Sequence, residues 1–446
     1  KFNKEKFKMN IYLTQKNTNH QISELPFNYF KANETISDEL IIYPEHKQQK
    51  FMGFGASITE SSSSIYKSLN SENKSKLMEA FFSSKGNNYN FTRTHINSCD
   101  FSLGNYSYVQ NNDIQLNSFD IGRDKISLIP MIKDAIKLRN SDLKILSSPW
   151  SPPFWMKTNN QMNNGGKLKK EFQATWAEYF CKYIKEYKIN GIEIWGVTVQ
   201  NEPEAKQVWD SCLYSPEEER DFVKYFLGPA FEKNELSDTK IIICDHNRDI
   251  MIKRAKKVFE DPIANKYTWG TGFHWYNGDN FHNVKKLHDM YPDKHLIFTE
   301  GCQEGGTHDG SWKLGERYAN SIINDLNNWT EAWIDWNIVL NHEGGPNHVS
   351  NFCSASLIID KENEFNFQNS YYYMGHFSRF IRSGDYIVKS ETNNKNLSAV
   401  CSVDSNSSLT SVILNDKETD QFIKIKYDNI GINLKVPSNS IITIKL

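Results

Sequence analysis

The sequence predicts an α/β protein: a (β/α)8 TIM barrel carrying a β-sandwich side domain built from both chain ends. Three observations carry this. Eight apolar, strand-like segments recur between residues 51 and 340, most of them separated by helix-like stretches, and that alternation is the pattern of a closed parallel barrel. Six further strand-like segments crowd residues 383–446 with turn residues, and no helical stretch, between them; this is the pattern of a sandwich or small barrel. Two extended runs, MNIYLT and ELIIYP, precede the first barrel segment and can complete the same β module, with the barrel inserted in it. The expected division is 1–50 for the amino-terminal strands, 51–382 for the barrel and 383–446 for the carboxy-terminal strands.

The barrel segments, in order, are FMGFGASIT (51–59), FTRTHIN (91–97), KILSSPW (144–150), EIWGVTVQNE (193–202), KIIICDHN (240–247), GTGFHWY (270–276), HLIFTEG (295–301) and EAWIDWNIVL (331–340). Start signals support helices between them. Ser71 and Glu72 open NKSKLMEAFF, and Ser215-Pro216-Glu217 opens EEERDFVKYFL with Pro at a first helical position. The rival fold is an open doubly wound sheet. Its nucleotide-binding form lacks support, because no GxGxxG follows an early strand and no Walker A is present.

Composition excludes several functions. The chain has 446 residues, with 52 Lys+Arg against 54 Asp+Glu. A near-neutral balance with no basic stripe argues against nucleic acid as a partner. No apolar stretch approaches 18 residues, so no transmembrane helix is expected. The basic start, KFNKEKFKMNIYLTQK, has no apolar run behind it and is not read as an intact secretory signal. Seven cysteines without a CxxC pair read as mostly free thiols of a reducing compartment. The expected location is cytoplasmic, or cell-associated or secreted if a signal preceded residue 1. Twelve histidines include no HExxH and no tight Cys/His cluster, so no metal or other cofactor is expected. Aromatics reach 13%, enough for a core and for platforms that pack on a sugar ring.

Barrel chemistry sits at the carboxyl ends of the strands. The fourth segment ends in Asn201-Glu202-Pro203 and the seventh in Thr299-Glu300-Gly301. The second is followed by Asp100, the third ends at Trp150, the sixth in His274-Trp275-Tyr276, and the eighth carries Asp335-Trp336-Asn337. Two carboxylates, several tryptophans and a few amides on one rim suit glycoside hydrolysis, which uses one carboxyl as acid and the other as nucleophile or base. A lone Glu at a strand end is more often a structural ion-pair residue, and Glu204, Glu304 and Glu343 compete with the pair. Alternation sends His274 and Tyr276 to one face and Trp275 to the other. The tryptophans of the eighth segment also fit plain core packing.

At these residues the chain resembles glycoside hydrolase family 30, in its glucosylceramidase (acid β-glucosidase) branch. The resemblance runs through GFGASIT (53–59), NSCDFS (97–102), SSPWSPPFWMKTN (147–159), VTVQNEPEA (197–205), HWY (274–276), FTEGC (298–302), WTEAWIDWNIVLNHEGGPN (329–347) and YYYMGHFSRFI (371–381). It implies a barrel with a β-sandwich side domain and a retaining double displacement. Glu202 then matches the general acid/base and Glu300 the nucleophile. Asn201 matches the amide that holds the sugar hydroxyl next to the anomeric carbon. Asp100, Trp150, Trp336 and Asn351 match sugar-binding positions, and His274 and Tyr276 match residues beside the nucleophile. Two departures spare the carboxylates: Ala56 in the GFGG tract and Gln200 where an acidic residue is common. The amino-terminal Cys cluster of the lysosomal enzymes is absent, which speaks against an activator-protein partner. The implied substrate is a β-glucoside or related glycoside. β-Xylosidase, β-fucosidase, β-1,6-glucanase and a dead carbohydrate-binding protein stay open as alternatives. The mechanism requires Glu300 ionised and Glu202 protonated, with the acid's pKa raised by the charge of Glu300.

Overall fold

The computed structural model describes residues 9–32 and 35–446; the first eight residues of the basic amino-terminal stretch lie outside it. Eight parallel strands close into a barrel in sequence order: Gly53–Ser57, Phe91–Ile96, Lys144–Pro149, Ile194–Thr198, Lys240–Asn247, Gly270–His274, His295–Glu300 and Ala332–Asn337. The eighth pairs with the first, from Ala332 opposite Gly53 onward. We refer to them as barrel strands one to eight.

Two segments differ from their sequence readings. Strand four stops at Thr198, so residues 199–202 leave the sheet and Glu202 turns in the left-handed region at φ 47°. The segment read as strand eight divides after Asn337. Val339–Asn341 instead joins a small sheet with Leu357–Ile359 and Phe365–Phe367. Helix starts follow local chemistry. Ser215 caps Pro216–Phe222 in a reciprocal box with Glu218. Asn70, one residue before the expected opening, caps Ser71–Phe82 through Asn73 N–H.

The barrel interior is layered. Phe91, Leu146, Ile242, Ile297, Ala332 and Ile334 form an apolar plug. Two residues further along strands two, three and seven come Arg93, Ser148 and Thr299, all buried, because side chains on a strand repeat every second residue. An apolar plug topped by a polar layer aims chemistry at the carboxyl-end rim.

The β-sandwich side domain takes the form of one nine-stranded sheet. Its order is Ile430–Val436, Gln421–Tyr427, Glu39–Lys50, Tyr386–Thr392, Ser398–Val403, Leu409–Asn415, Ser440–Lys445, Asn10–Gln15 and Ser23–Leu25. Strands from before and after the barrel therefore interleave. Leu434 and Val436 at one edge share a core with Ile11 and Leu13 near the other, so the sheet curls on itself. Its other face lies on the barrel. His376, in helix Asn369–Ser378, bridges Thr14 and Thr443 hydroxyls at 2.8 Å each, and burial pushes its pKa down to about 3. Among the described residues no helix is long and apolar enough to cross a membrane. The seven cysteine thiols are free and buried.

Candidate active site

Arg93 is the hub of the polar layer. It is fully buried and donates from Nη1 to Glu300 Oε2 (2.6 Å) and from Nη2 to Asp245 Oδ2 (2.8 Å) and Asn201 Oδ1 (2.9 Å). Asp245 carries four donors: Arg93, His274 Nε2 (2.8 Å), Thr198 (2.7 Å) and Thr299 (2.6 Å). Burial alone would raise its pKa, but Arg93 and His274 win and hold it far below the carboxylate range.

Asp245 reaches this place through a bulge. Simple alternation from Ile242 would turn Cys244 inward and Asp245 outward. Instead Cys244 and Asp245 adopt φ 70° and 48°, and the strand slips register against strand six there. A bulge re-aims the following side chain, and Cys244 joins the outer core. Two successive left-handed, non-glycine residues carry strain. The buried ion pair of Glu219 with Arg254 (2.7 Å) holds the bend, because Glu219 Oε1 accepts the Cys244 N–H at 2.9 Å.

Strands four and seven bring the two carboxylates face to face. An oxygen of Glu202, an oxygen of Glu300 and a ring nitrogen of His274 all lie within 4.8 Å of one another. Arg93 and the Tyr276 hydroxyl (2.9 Å) donate to Glu300. His274 Nδ1 faces Glu202 Oε1 at 3.2 Å while Nε2 faces Asp245. Both ring nitrogens thus meet carboxylates, the setting of an imidazolium. Burial opposes that charge, but Glu300, Asp245 and Glu202 push the His274 pKa up to about 9.

The carboxyl pKa directions depart from expectation. Burial raises Glu202, but the His274 hydrogen bond and the adjacent His246 and His274 rings outweigh it and shift Glu202 down. Burial shifts Glu300 up, against His274 and Arg93. The expectation of a raised Glu202 is corrected: burial and the charge of Asp245 act that way, but the neighbouring imidazoles are stronger. The raised His274, with Nδ1 against Glu202, is placed to give that carboxyl a proton.

The cavity above the carboxylates holds about 190 Å³, room for roughly one sugar ring. Trp150 and Trp336 stack at 5.3 Å and 20° as one wall, with the Arg93 guanidinium 4.9 Å from the first ring and 5.6 Å from the second. Asp100 accepts from the Asn351 amide at 2.9 Å; burial and then Glu300 push its pKa up to about 7. Asn201, Tyr276, Asp100, Asn351 and both tryptophans line this cavity with the two carboxylates. His274 lies beneath it, and Trp275 turns away to pack on Trp333 and Tyr318. Of the competing carboxylates, Glu204 pairs with Arg254 (2.8 Å), Glu304 stands exposed at the cavity mouth and Glu343 is exposed. Gln200 is buried and donates to the carbonyl of Trp150 at 2.7 Å.

Glu202, His274 and Glu300 form the one group among the described residues whose donor atoms lie close enough to hold a metal ion. Both nitrogens of His274 are already engaged with carboxylates, and Glu300 is paired with Arg93. A further cation would meet the guanidinium and the imidazolium, so the arrangement suits proton transfer.

Sequence reasoning missed Arg93, Asp245 and His246. Arg93 had a signal: a lone Arg inside an apolar barrel strand, two residues after Phe91, needs buried partners. Asp245 had none, since alternation turns it outward. His246 follows the same bulge and lines the cavity.

Comparison with known proteins gives the family. The glycosyl hydrolase family 30 TIM-barrel domain matches residues 51–381. The lysosomal acid glucosylceramidase of Mus musculus is 35% identical over 432 residues, covering 92% of this chain and 83% of that protein. The endo-1,6-beta-D-glucanase BGN16.3 of Trichoderma harzianum is 28% identical over 425 residues, covering 89% and 84%. The crystal structure of SrfJ from Salmonella typhimurium superposes with a TM-score of 0.93 at 34% identity, covering 98% of this chain and 99% of that one. The chain belongs to glycosyl hydrolase family 30 and is a glycoside hydrolase.

Proposed function

We propose that this glycosidase is a retaining β-glucosidase of the glucosylceramidase type, hydrolysing terminal β-glucosides by double displacement. The separation of the carboxyls carries the reading: oxygens of Glu202 and Glu300 lie within 4.8 Å across a one-sugar cavity. Retaining enzymes hold the two groups about 5–5.5 Å apart, whereas inverting ones leave about 6.5–9.5 Å for a water. The 35% identity to a glucosylceramidase supports glucose as the sugar.

Glu300 attacks the anomeric carbon, steered by Arg93 and Tyr276. Glu202 protonates the departing oxygen with a proton that His274 Nδ1 supplies as negative charge develops there. The glycosyl–enzyme ester then forms with Glu202 anionic and His274 neutral. Glu202 next takes a proton from water and returns it to His274, and the hydroxide displaces Glu300. Asn201 gives its Oδ1 to Arg93, which leaves its NH2 to hold the sugar hydroxyl next to the anomeric carbon. Trp150 and Trp336 pack on the ring, and Asp100 with Asn351 takes its distal hydroxyls.

A β-glucoside with a good leaving group, and fluorine in place of that neighbouring hydroxyl, traps the covalent intermediate. Peptide mapping should place the label on Glu300. A label on Glu304 or Glu202 overturns the assignment.

A further inference from the structure

Asn351, which donates to Asp100 at the cavity wall, stands on a loop that follows the short strand Val339–Asn341. The loop is closed at its base by the Cys353 N–H on the Gly344 carbonyl (3.0 Å). Its tip is one turn: Asn347 Oδ1 accepts the Val349 N–H (2.9 Å) and the Asn351 N–H (3.1 Å). Residues 346–351 are half-buried or exposed, so little apolar packing holds them in place. From this turn His348 reaches back into the protein. Its Nδ1 lies 2.9 Å from the Ser102 carbonyl, in the loop after strand two. Its Nε2 lies 3.5 Å from Asp210 Oδ1, in the loop after strand four.

A carbonyl only accepts, so Nδ1 carries a proton. In a neutral ring Nε2 would then turn its lone pair on the carboxylate oxygen; in the imidazolium both nitrogens donate. Asp210 makes the same demand. It is fully buried, and its Oδ2 accepts Ser98 Oγ (2.6 Å) and Asn105 Nδ2 (2.9 Å). Its Oδ1 has no hydrogen-bond partner among the described residues and faces the ring. Burial lowers the His348 pKa, but Asp210, the Ser102 carbonyl and the more distant Asp100 outweigh it and raise it. Lys157, bonded to the Met162 and Ser211 carbonyls, lies close enough to Asp210 to feel its charge. We propose that His348 is a positioning residue of the glycosidase reaction: as an imidazolium it pins the loop to Ser102 and Asp210 and so holds Asn351 against Asp100 and the sugar. This rests on the reading above that Asp100 and Asn351 take the distal hydroxyls. Loss of the His348 proton sets a lone pair against Asp210, frees the turn and weakens substrate binding more than bond breaking.

The test follows KM for para-nitrophenyl β-glucoside from about pH 5.5 to about pH 8.5, across the imidazole range, in the intact chain and in Asp210→Asn. In that variant the amide oxygen accepts Ser98 and Asn105, and its NH2 donates to the Nε2 lone pair, so the neutral ring is held. KM of the intact chain should rise about fivefold with pH, while that of Asp210→Asn changes by less than about twofold. Asp100 and Lys157 titrate in the same range but are present in both proteins, so the difference reads His348. His348→Phe should raise KM about tenfold at the lower pH and leave kcat within about threefold. On top of Asn351→Ala it should add less than about twofold. A KM that is flat in the intact chain, or that rises equally in Asp210→Asn, overturns the proposal. So does a His348→Phe effect that multiplies in full with that of Asn351→Ala. An intact chain that leaves para-nitrophenyl β-glucoside untouched overturns the glucosidase reading instead, and the same comparison on the aryl glycoside it does turn over still decides the role of His348.

Discussion

Asp245→Asn isolates the proton store, because it keeps the side-chain shape and removes one charge. In the native site Asp245 Oδ1 accepts His274 Nε2 at 2.8 Å and Oδ2 accepts Arg93 at 2.8 Å. An Asn can satisfy Arg93 and Thr198 with its oxygen, and its NH2 then faces Nε2 and favours the neutral ring. The rise of His274 from 6.5 to about 9 is worth about 3 kcal/mol of preference for the charged form. Burial opposes it, and Asp245 supplies two of the raising causes, a hydrogen bond and a Coulomb attraction. Their loss should lower the His274 pKa by about 1–2 pH units. The basic limb of kcat/KM on an aryl glucoside should move down by the same amount. Stability follows the same sign. A raised His274 stabilises the fold fully below 6.5, and that contribution is lost as pH rises through about 9. The melting-temperature deficit of Asp245→Asn should therefore narrow between pH 7 and pH 10 (about three units, spanning that loss). An unmoved basic limb with only a lower kcat would refute the argument. Asp245 would then hold geometry alone, and the acid's proton would come from elsewhere.

Three further outcomes are expected. Glu202→Ala should cripple substrates with poor leaving groups, yet spare the first step of a dinitrophenyl glucoside; azide should then speed turnover and give the β-glucosyl azide, whereas an α product contradicts the acid/base role. Glu219→Ala strands the Cys244 N–H, leaves Arg254 only Glu204 and the Tyr214 carbonyl as partners, and should cost about 1–3 kcal/mol in urea unfolding, with Glu219→Gln losing less. A loss below about 1 kcal/mol would show that the strand-five bend holds without that clamp. Prolonged dialysis against a chelator should leave kcat/KM on an aryl glucoside unchanged, and a loss restored by a divalent ion would assign metal binding to Glu202, His274 and Glu300.

The sequence by itself determined what depends on local pattern. Eight apolar runs spaced by helices pointed to a closed barrel, and six runs without helices pointed to a separate β module. Gly301 marked where strand seven ends, at Glu300, whereas strand four stops at Thr198, short of the Pro203 that the sequence offered as its end. Alternation put His274 and Tyr276 on one face and Trp275 on the other, and the structure turns the first face toward the site. Tertiary structure decided what breaks pattern. Asp245 enters the barrel only because a bulge with two left-handed residues reverses its face, and a Glu219–Arg254 pair on neighbouring helices holds that bend. The continuity of the nine-stranded sheet was likewise illegible, since strand pairing joins residues hundreds of positions apart. The resting proton's place was also a tertiary outcome. Sequence showed two carboxylates and a histidine near one rim. Which of the three holds the proton follows from distances of a few ångströms among Arg93, Asp245, His274, Glu202 and Glu300. Coulomb energy in a buried site changes steeply over that range, and no spacing along the chain encodes it.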